Sequence, residues 1–279
     1  MKVLVLGATG YIGGAVVEKL REHGHDVAAV VRGEKVVPGV TDVRQGDLSD
    51  PATIEVTSDI DAVVHAAQLT GDEAVDLEAI GKLTVKPLVY VSGVWVLGPV
   101  DGGHEESPTD PIALVGYRPK VERLVVDAGG TVVRPGVVHG RGSGIAALLR
   151  SQAAERGQGV YVSDGTVPTW SFVHIDDLAE LIVAVVEKGE KGAVYHGITE
   201  EGVPLNEVAK AAARSAGVDP SVNAWPVEEA AELLGRPFAD ALALSQRVGS
   251  ERTRAALGWN PSRPGILADL VEGSYLGSL

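Results

Sequence analysis

Three glycines at three-residue intervals, Gly7, Gly10 and Gly13, follow the apolar start of this chain, with Ala8, Thr9, Tyr11 and Ile12 between them. The first glycine permits a tight turn, the second lets a ligand approach the backbone, and the third lets a helix pack closely on a strand. Exposed N–H groups at the start of the helix that follows suit an anion. These are the requirements of a dinucleotide pyrophosphate. A second clue lies at the end of the next apolar segment, where an acidic residue would bind a ribose 2′-hydroxyl. There Val31 leads into Arg32 and Gly33, with no carboxylate at the strand end. A planar, permanently charged guanidinium suits a 2′-phosphate, so NADP(H) is favoured over NAD(H).

Histidines supply a further set of candidates. His65, His139 and His174 fall where strand ends should converge on one cleft, and an imidazole of ordinary pKa can act as an acid. No two have the spacing of helical or hairpin metal ligands, so no metal site is expected.

The composition removes several classes of function. A net charge of −14 disfavours nucleic acid and anionic membranes as partners, because each phosphate contact calls for Lys or Arg. Cysteine is absent, which excludes disulfides, thiolate metal sites and cysteine nucleophiles. No apolar run approaches the roughly 20 residues of a membrane span. A cytoplasmic protein acting on a small molecule is the expectation.

The elements that must position these groups alternate along the first half of the 279 residues. Continuous apolar segments at 2–6, 27–31, 62–65, 88–92 and 131–134 read as parallel strands covered on both faces. Helical patterns lie between them at 14–23, 51–58, 73–83 and 119–127. The repeated order predicts an α/β, Rossmann-type, doubly wound parallel sheet. Beyond Arg134, helices are predicted at 145–156, 176–188, 205–216, 227–234 and 250–257, with short strands at 160–162 and 193–195. This gives a dinucleotide-binding unit at 1–140 and a smaller, mostly helical substrate lobe at 141–279, interleaved with the sheet through 160–196.

Six motifs, in order, resemble the landmarks of extended short-chain dehydrogenase/reductases, which include the NAD-dependent epimerase/dehydratase family. They are the glycine loop, Gly46-Asp47-Leu48, His65-Ala66-Ala67, the run from Arg134 to Gly140, the run from Ser171 to Ala179, and Leu257 to Pro261. The resemblance implies that Asp47 accepts the adenine amino group and Leu48 covers the adenine. It also implies that Ala66 and Ala67 let the ribose lie against the backbone, and that Pro135 and Val137 flank the nicotinamide. It further suggests a homodimer through helices flanking the sheet.

The resemblance also implies a reaction set: a Ser or Thr on the substrate carbonyl, a Tyr that moves the proton, and a Lys one turn later. The Lys grips the ribose and lowers the tyrosine pKa. Here the set is degenerate. Gly93 stands where the hydroxyl is expected and Ser92 is one residue early, while Tyr117 and Lys120 are one residue too close. Alignment on Glu122-Arg123-Leu124 puts Arg118 in the Lys position. Arg118 suits the ribose hydroxyls but, with a pKa above about 12, cannot carry a proton.

Two readings follow: a redox enzyme of altered proton chemistry, and an NADP(H)-binding sensor or partner-binding module. For the substrate, Trp95, His139, Arg141 and Trp170 are the candidate contacts. Aromatic walls with few charges favour a small carbonyl compound over a nucleotide-sugar.

Overall fold

The first strand shows how the layers arise. In the computed structural model, which describes residues 1–276, Val3 and Val5 face one side of a sheet and Leu4 and Leu6 the other, all buried. A strand apolar at every position needs cover on both faces, and helices supply it. Through the first half run β1 (Lys2–Leu6), α1 (Tyr11–Glu22), β2 (Asp26–Val31), β3 (Asp42–Gln45), β4 (Ala62–His65), α2 (Glu73–Leu83), β5 (Leu88–Val91), β6 (Val100–Gly103), α3 (Arg118–Asp127) and β7 (Thr131–Pro135). The second half adds β8 (Val137–His139), α4 (Gly144–Arg156), β9 (Gln158–Val162), β10 (Thr169–His174), α5 (Ile175–Lys188), β11 (Val194–Gly197) and β12 (Glu200–Pro204). It continues with α6 (Leu205–Ser215), β13 (Asp219–Trp225), α7 (Val227–Leu234), α8 (Arg236–Ala243), β14 (Gln246–Val248), α9 (Glu251–Leu257) and α10 (Ile266–Glu272).

Seven strands form one parallel sheet in the order β11-β7-β5-β4-β1-β2-β3. Helices α1 and α5 cover the face of Val3 and Val5; α2 and α3 cover that of Leu4 and Leu6. This is the Rossmann-type doubly wound fold. The chain leaves β1 for β2 on one side and returns to β4 on the other, which opens a crevice at the strands' carboxyl ends.

The second core, built around Trp170, Phe172, Trp225, Val208 and Leu270, belongs to the C-terminal lobe. Its helices are joined by small sheets, β12-β10-β8 and β13-β9, that the sequence pattern did not show in full. Two further helices, α8 and α10, were also not read from sequence, and the helix expected at 51–58 is a single 3-10 turn at Pro51–Thr53. Ile54 turns extended directly after it, so the β-branched residues that follow never enter a helix. Among the described residues, no helix is long and apolar enough to cross a membrane.

Candidate active site

The crevice holds a cavity of about 560 Å³, within the range of small-molecule sites. Its wall begins where β1 ends. Gly7 has φ +83°, and a Cβ there would lie 2.6 Å from the Ala67 nitrogen and 2.7 Å from the Ala66 carbonyl carbon. A Cβ on Gly13 would fall 2.0 Å from the Gly7 oxygen. Side chains are therefore excluded at both positions by backbone. The Gly10 N–H donates to the Gly7 carbonyl at 2.8 Å and closes the turn. Gly10 is also the N-cap of α1, and no side chain caps that helix, so its first N–H groups remain available to an anion.

Thr9, Tyr11 and Ile12 line the cavity with Ala66 and Ala67, while Arg32, Asp47 and Leu48 line its other end. The Ser49 amide donates to Asp47 at 3.0 Å and, as the first cause, holds its carboxyl below the usual range. Lys35, Ser49 and residues 68–70 line the same cavity and were missed in the sequence. For Lys35 the available signal was its place three residues after Arg32. Pro135 and Val137 do not line this cavity: Pro135 closes β7 beside Gly93, and Val137 is buried in the lobe core.

At the other end of the crevice, the expected reaction residues are engaged elsewhere. Ser92 is buried and donates to Glu122, which is itself paired with buried Arg134 at 2.6 Å. That hydroxyl belongs to a structural triad. Tyr117 donates to Asp76 Oδ2 at 2.6 Å and accepts from the Gly71 N–H at 3.1 Å. Burial, followed by the bond to Asp76, pushes its pKa up to about 12, opposite to the lowering that a proton-moving tyrosine needs. Lys120 points outward, with 64% of its side chain exposed, and pairs with Glu73 at 2.6 Å. Arg118, the first residue of α3, has a buried Nε without a hydrogen-bond partner. Its Nη1 lies 3.7 Å from the place a Cβ on Gly93 would occupy.

The substrate candidates divide. Trp95 is half-buried and meets Phe238 of α8 edge-on at 6.5 Å, bridging to the lobe. Trp170 is a core residue instead: it is 2% exposed and its indole donates to the Leu244 carbonyl at 2.9 Å. Arg141 spans α1 and α5 through Glu18 at 2.8 Å and Asp176 at 2.9 Å, a structural clamp instead of a substrate contact.

His139 is fully buried and lies 3.0 Å from Asp269, so it cannot reach a substrate in the crevice. With His174 the three side chains converge as metal sites do. The hydrogen bonding argues otherwise. His174 Nδ1 accepts the Asp176 N–H at 3.2 Å, which leaves the proton of the neutral ring on Nε2, the atom that would have to bind the metal. His174 is the N-cap of α5. Burial pushes the His65 pKa down to about 4, which keeps the ring neutral and unsuited as an acid at neutral pH.

The sequence profile of the NAD dependent epimerase/dehydratase family matches residues 3–76 and 75–197. The chain belongs to this family. The family and the named relatives are oxidoreductases, epimerases and dehydratases, and a glycine-lined crevice of this form suits a nicotinamide dinucleotide. An uncharacterized protein of Saccharomyces cerevisiae, YLL056C, is 30% identical and covers 97% of this chain and 98% of its own length. The 3-diazoavenalumate denitrifying reductase of a Streptomyces species is 30% identical, covering 95% of this chain and 97% of its own. The human epimerase family protein SDR39U1, solved with NADPH, has a TM-score of 0.77 at 25% identity, covering 98% of this chain and 99% of that one.

Proposed function

We propose that this protein is an extended short-chain dehydrogenase/reductase that binds NADP(H) and acts on a small carbonyl, hydroxyl or sugar-type substrate. The glycine cradle at the point where the strand order reverses, with Arg32 at its far end, is the observation that carries this reading. When bound, the cofactor supplies or accepts a hydride. Gly7, Gly10 and Gly13 and the start of α1 hold its pyrophosphate, with Thr9, Tyr11 and Ile12 completing the loop. Arg32, supported by Lys35, receives the 2′-phosphate. Asp47 and Leu48 hold the adenine, and Ala66 and Ala67 leave room for the ribose. The nicotinamide extends past this cavity, where backbone groups of Pro135 and Val137 at the end of β7 and start of β8 would flank it.

Hydride transfer depends chiefly on positioning, so water can supply the proton that Tyr117 and Ser92 are not placed to give. NADPH in the human neighbour and a reductase among the relatives support this reading. Residues 1–140 carry the cofactor and 141–279 receive the substrate. A cytoplasmic homodimer completes the picture, supported by the cysteine-free sequence and the family resemblance.

A second reading, a non-catalytic NADP(H) sensor, is favoured by the commitment of Ser92, Tyr117 and Lys120 to other partners. Energy transfer from tryptophan to nicotinamide during NADPH and NADH titration, then stopped-flow oxidation with a carbonyl panel, separates the two. Binding with substrate-dependent decay establishes a reductase, and binding without decay across the panel favours the sensor or a substrate outside the panel. No binding defeats both.

A further inference from the structure

Arg118 has no ion-pair partner among the described residues. The acidic groups nearby bond elsewhere: Glu122 is paired with Arg134, Glu73 with Lys120, and Asp76 accepts from the Tyr117 hydroxyl and the Thr70 N–H. The Arg118 Nε is buried without a hydrogen-bond partner. Holding a half-buried guanidinium in this way is costly unless an anion joins it.

The space in front of Arg118 is not imposed by folding. Gly93 is extended, at φ 172°, a conformation open to any residue. An added Cβ would meet Arg118 Nη1 at 3.7 Å and the Pro135 oxygen at 4.0 Å, both ordinary contacts. A side chain fits here, and the sequence leaves the place open.

We propose that Arg118 binds an anionic oxygen of the substrate in the space beside Gly93, so that the preferred substrates present a carboxylate or a developing alkoxide there. The proposal rests on the NADP(H) reading above, in which backbone groups of Pro135, the neighbour of Gly93, flank the nicotinamide. In reduction, the carbonyl carbon gains a hydride from the reduced nicotinamide cofactor and the C=O π pair moves to oxygen. Guanidinium N–H donors hold that oxygen until water protonates it. The forked, permanently charged donor set suits either form of anionic oxygen and gives up no proton itself. Tyr117 can therefore remain bound to Asp76 throughout.

The test uses the full-length protein loaded with NADP⁺ and titrated calorimetrically with benzoate, together with stopped-flow reduction of benzaldehyde by the NADPH form. Arg118→Gln and Gly93→Ala are compared with wild type, and Arg118→Lys tests rescue by charge. If the anion is a carboxylate, both variants weaken benzoate on the order of tenfold or more at saturating cofactor, a loss larger than any change in NADPH affinity measured on the same variants. Benzoate affinity of the wild type stays flat from about pH 6 to pH 10, because the guanidinium does not titrate there. If the anion is the developing alkoxide, benzoate binds weakly throughout and Arg118→Gln lowers kcat on benzaldehyde by a similar factor, with Arg118→Lys partly restoring it. Unchanged benzoate binding and turnover in Arg118→Gln, no response of the wild type to either probe, or loss of NADPH affinity alone each overturn the proposal. Wild-type protein that fails to bind NADPH at all defeats the parent reading instead.

Discussion

The phenolic hydrogen of Tyr117 is donated to Asp76 across 2.6 Å, while the Gly71 N–H donates to the same phenolic oxygen at 3.1 Å. Asp76 also takes the Thr70 N–H on both carboxylate oxygens at 3.0 Å. The tyrosine thus braces the loop that leads into α2, where Asp72 caps the helix. Its place beside the crevice reflects support for that loop.

Removing the hydroxyl should therefore affect stability more than chemistry. Tyr117→Phe is expected to lower unfolding free energy by about 1 kcal/mol while leaving turnover within about threefold. Urea titration and single-turnover kinetics on the same preparation check it, and a drop in turnover of a hundredfold or more would give Tyr117 back its proton role.

Acid should destabilise the fold well above the carboxylate range. Burial pushes His65 and His196 down to about 4, and it lowers His174 as well. Asp76 and Arg118 act on His65, and Glu105 and Arg134 on His196, in opposite directions within each pair. Because the folded-state values lie below the unfolded ones, this contribution is complete above about pH 6.5 and is lost as pH falls toward 4. His65 and His196 each add a slope of about 1.4 kcal/mol per pH unit in that window, and His174 adds in the same direction. Urea midpoints between pH 4.5 and 7.5 measure the slope, and His65→Leu should remove one proton's share of it.

Cofactor selectivity is expected to reside in Arg32. Arg32→Ala should weaken NADPH on the order of tenfold or more and leave NADH nearly unchanged, read by fluorescence titration. Equal losses for both cofactors would refute the phosphate role. Gly10→Asp should abolish both, since even a Cβ there lies 3.2 Å from the Gly7 oxygen and a carboxylate would repel the pyrophosphate.

The triad Ser92, Glu122 and Arg134 predicts an asymmetric pair of mutants. Ser92→Ala removes one donor to a carboxylate that keeps its arginine and should cost about 1 kcal/mol. Glu122→Gln leaves Arg134 charged and buried, and should cost about 3 kcal/mol or more. Chemical denaturation of both variants decides it; equal costs would mean the ion pair is not the anchor.

The cradle was legible in the sequence because its determinants are local. Glycine spacing, a strand apolar at every position and the helix that follows are all set within 22 residues, from Met1 to Glu22, and backbone sterics allow little else. The ordered motifs likewise made the family recognisable. The sequence could not determine the roles of the polar side chains, because their partners lie far along the chain. Ser92 finds Glu122 30 residues away, Tyr117 finds Asp76 41 away, Trp170 finds Leu244 74 away, and His139 finds Asp269 130 away. Residue type and spacing state what a side chain can do. Whether it faces the crevice or is held in the core depends on which distant element packs against it, and only the tertiary structure decides that.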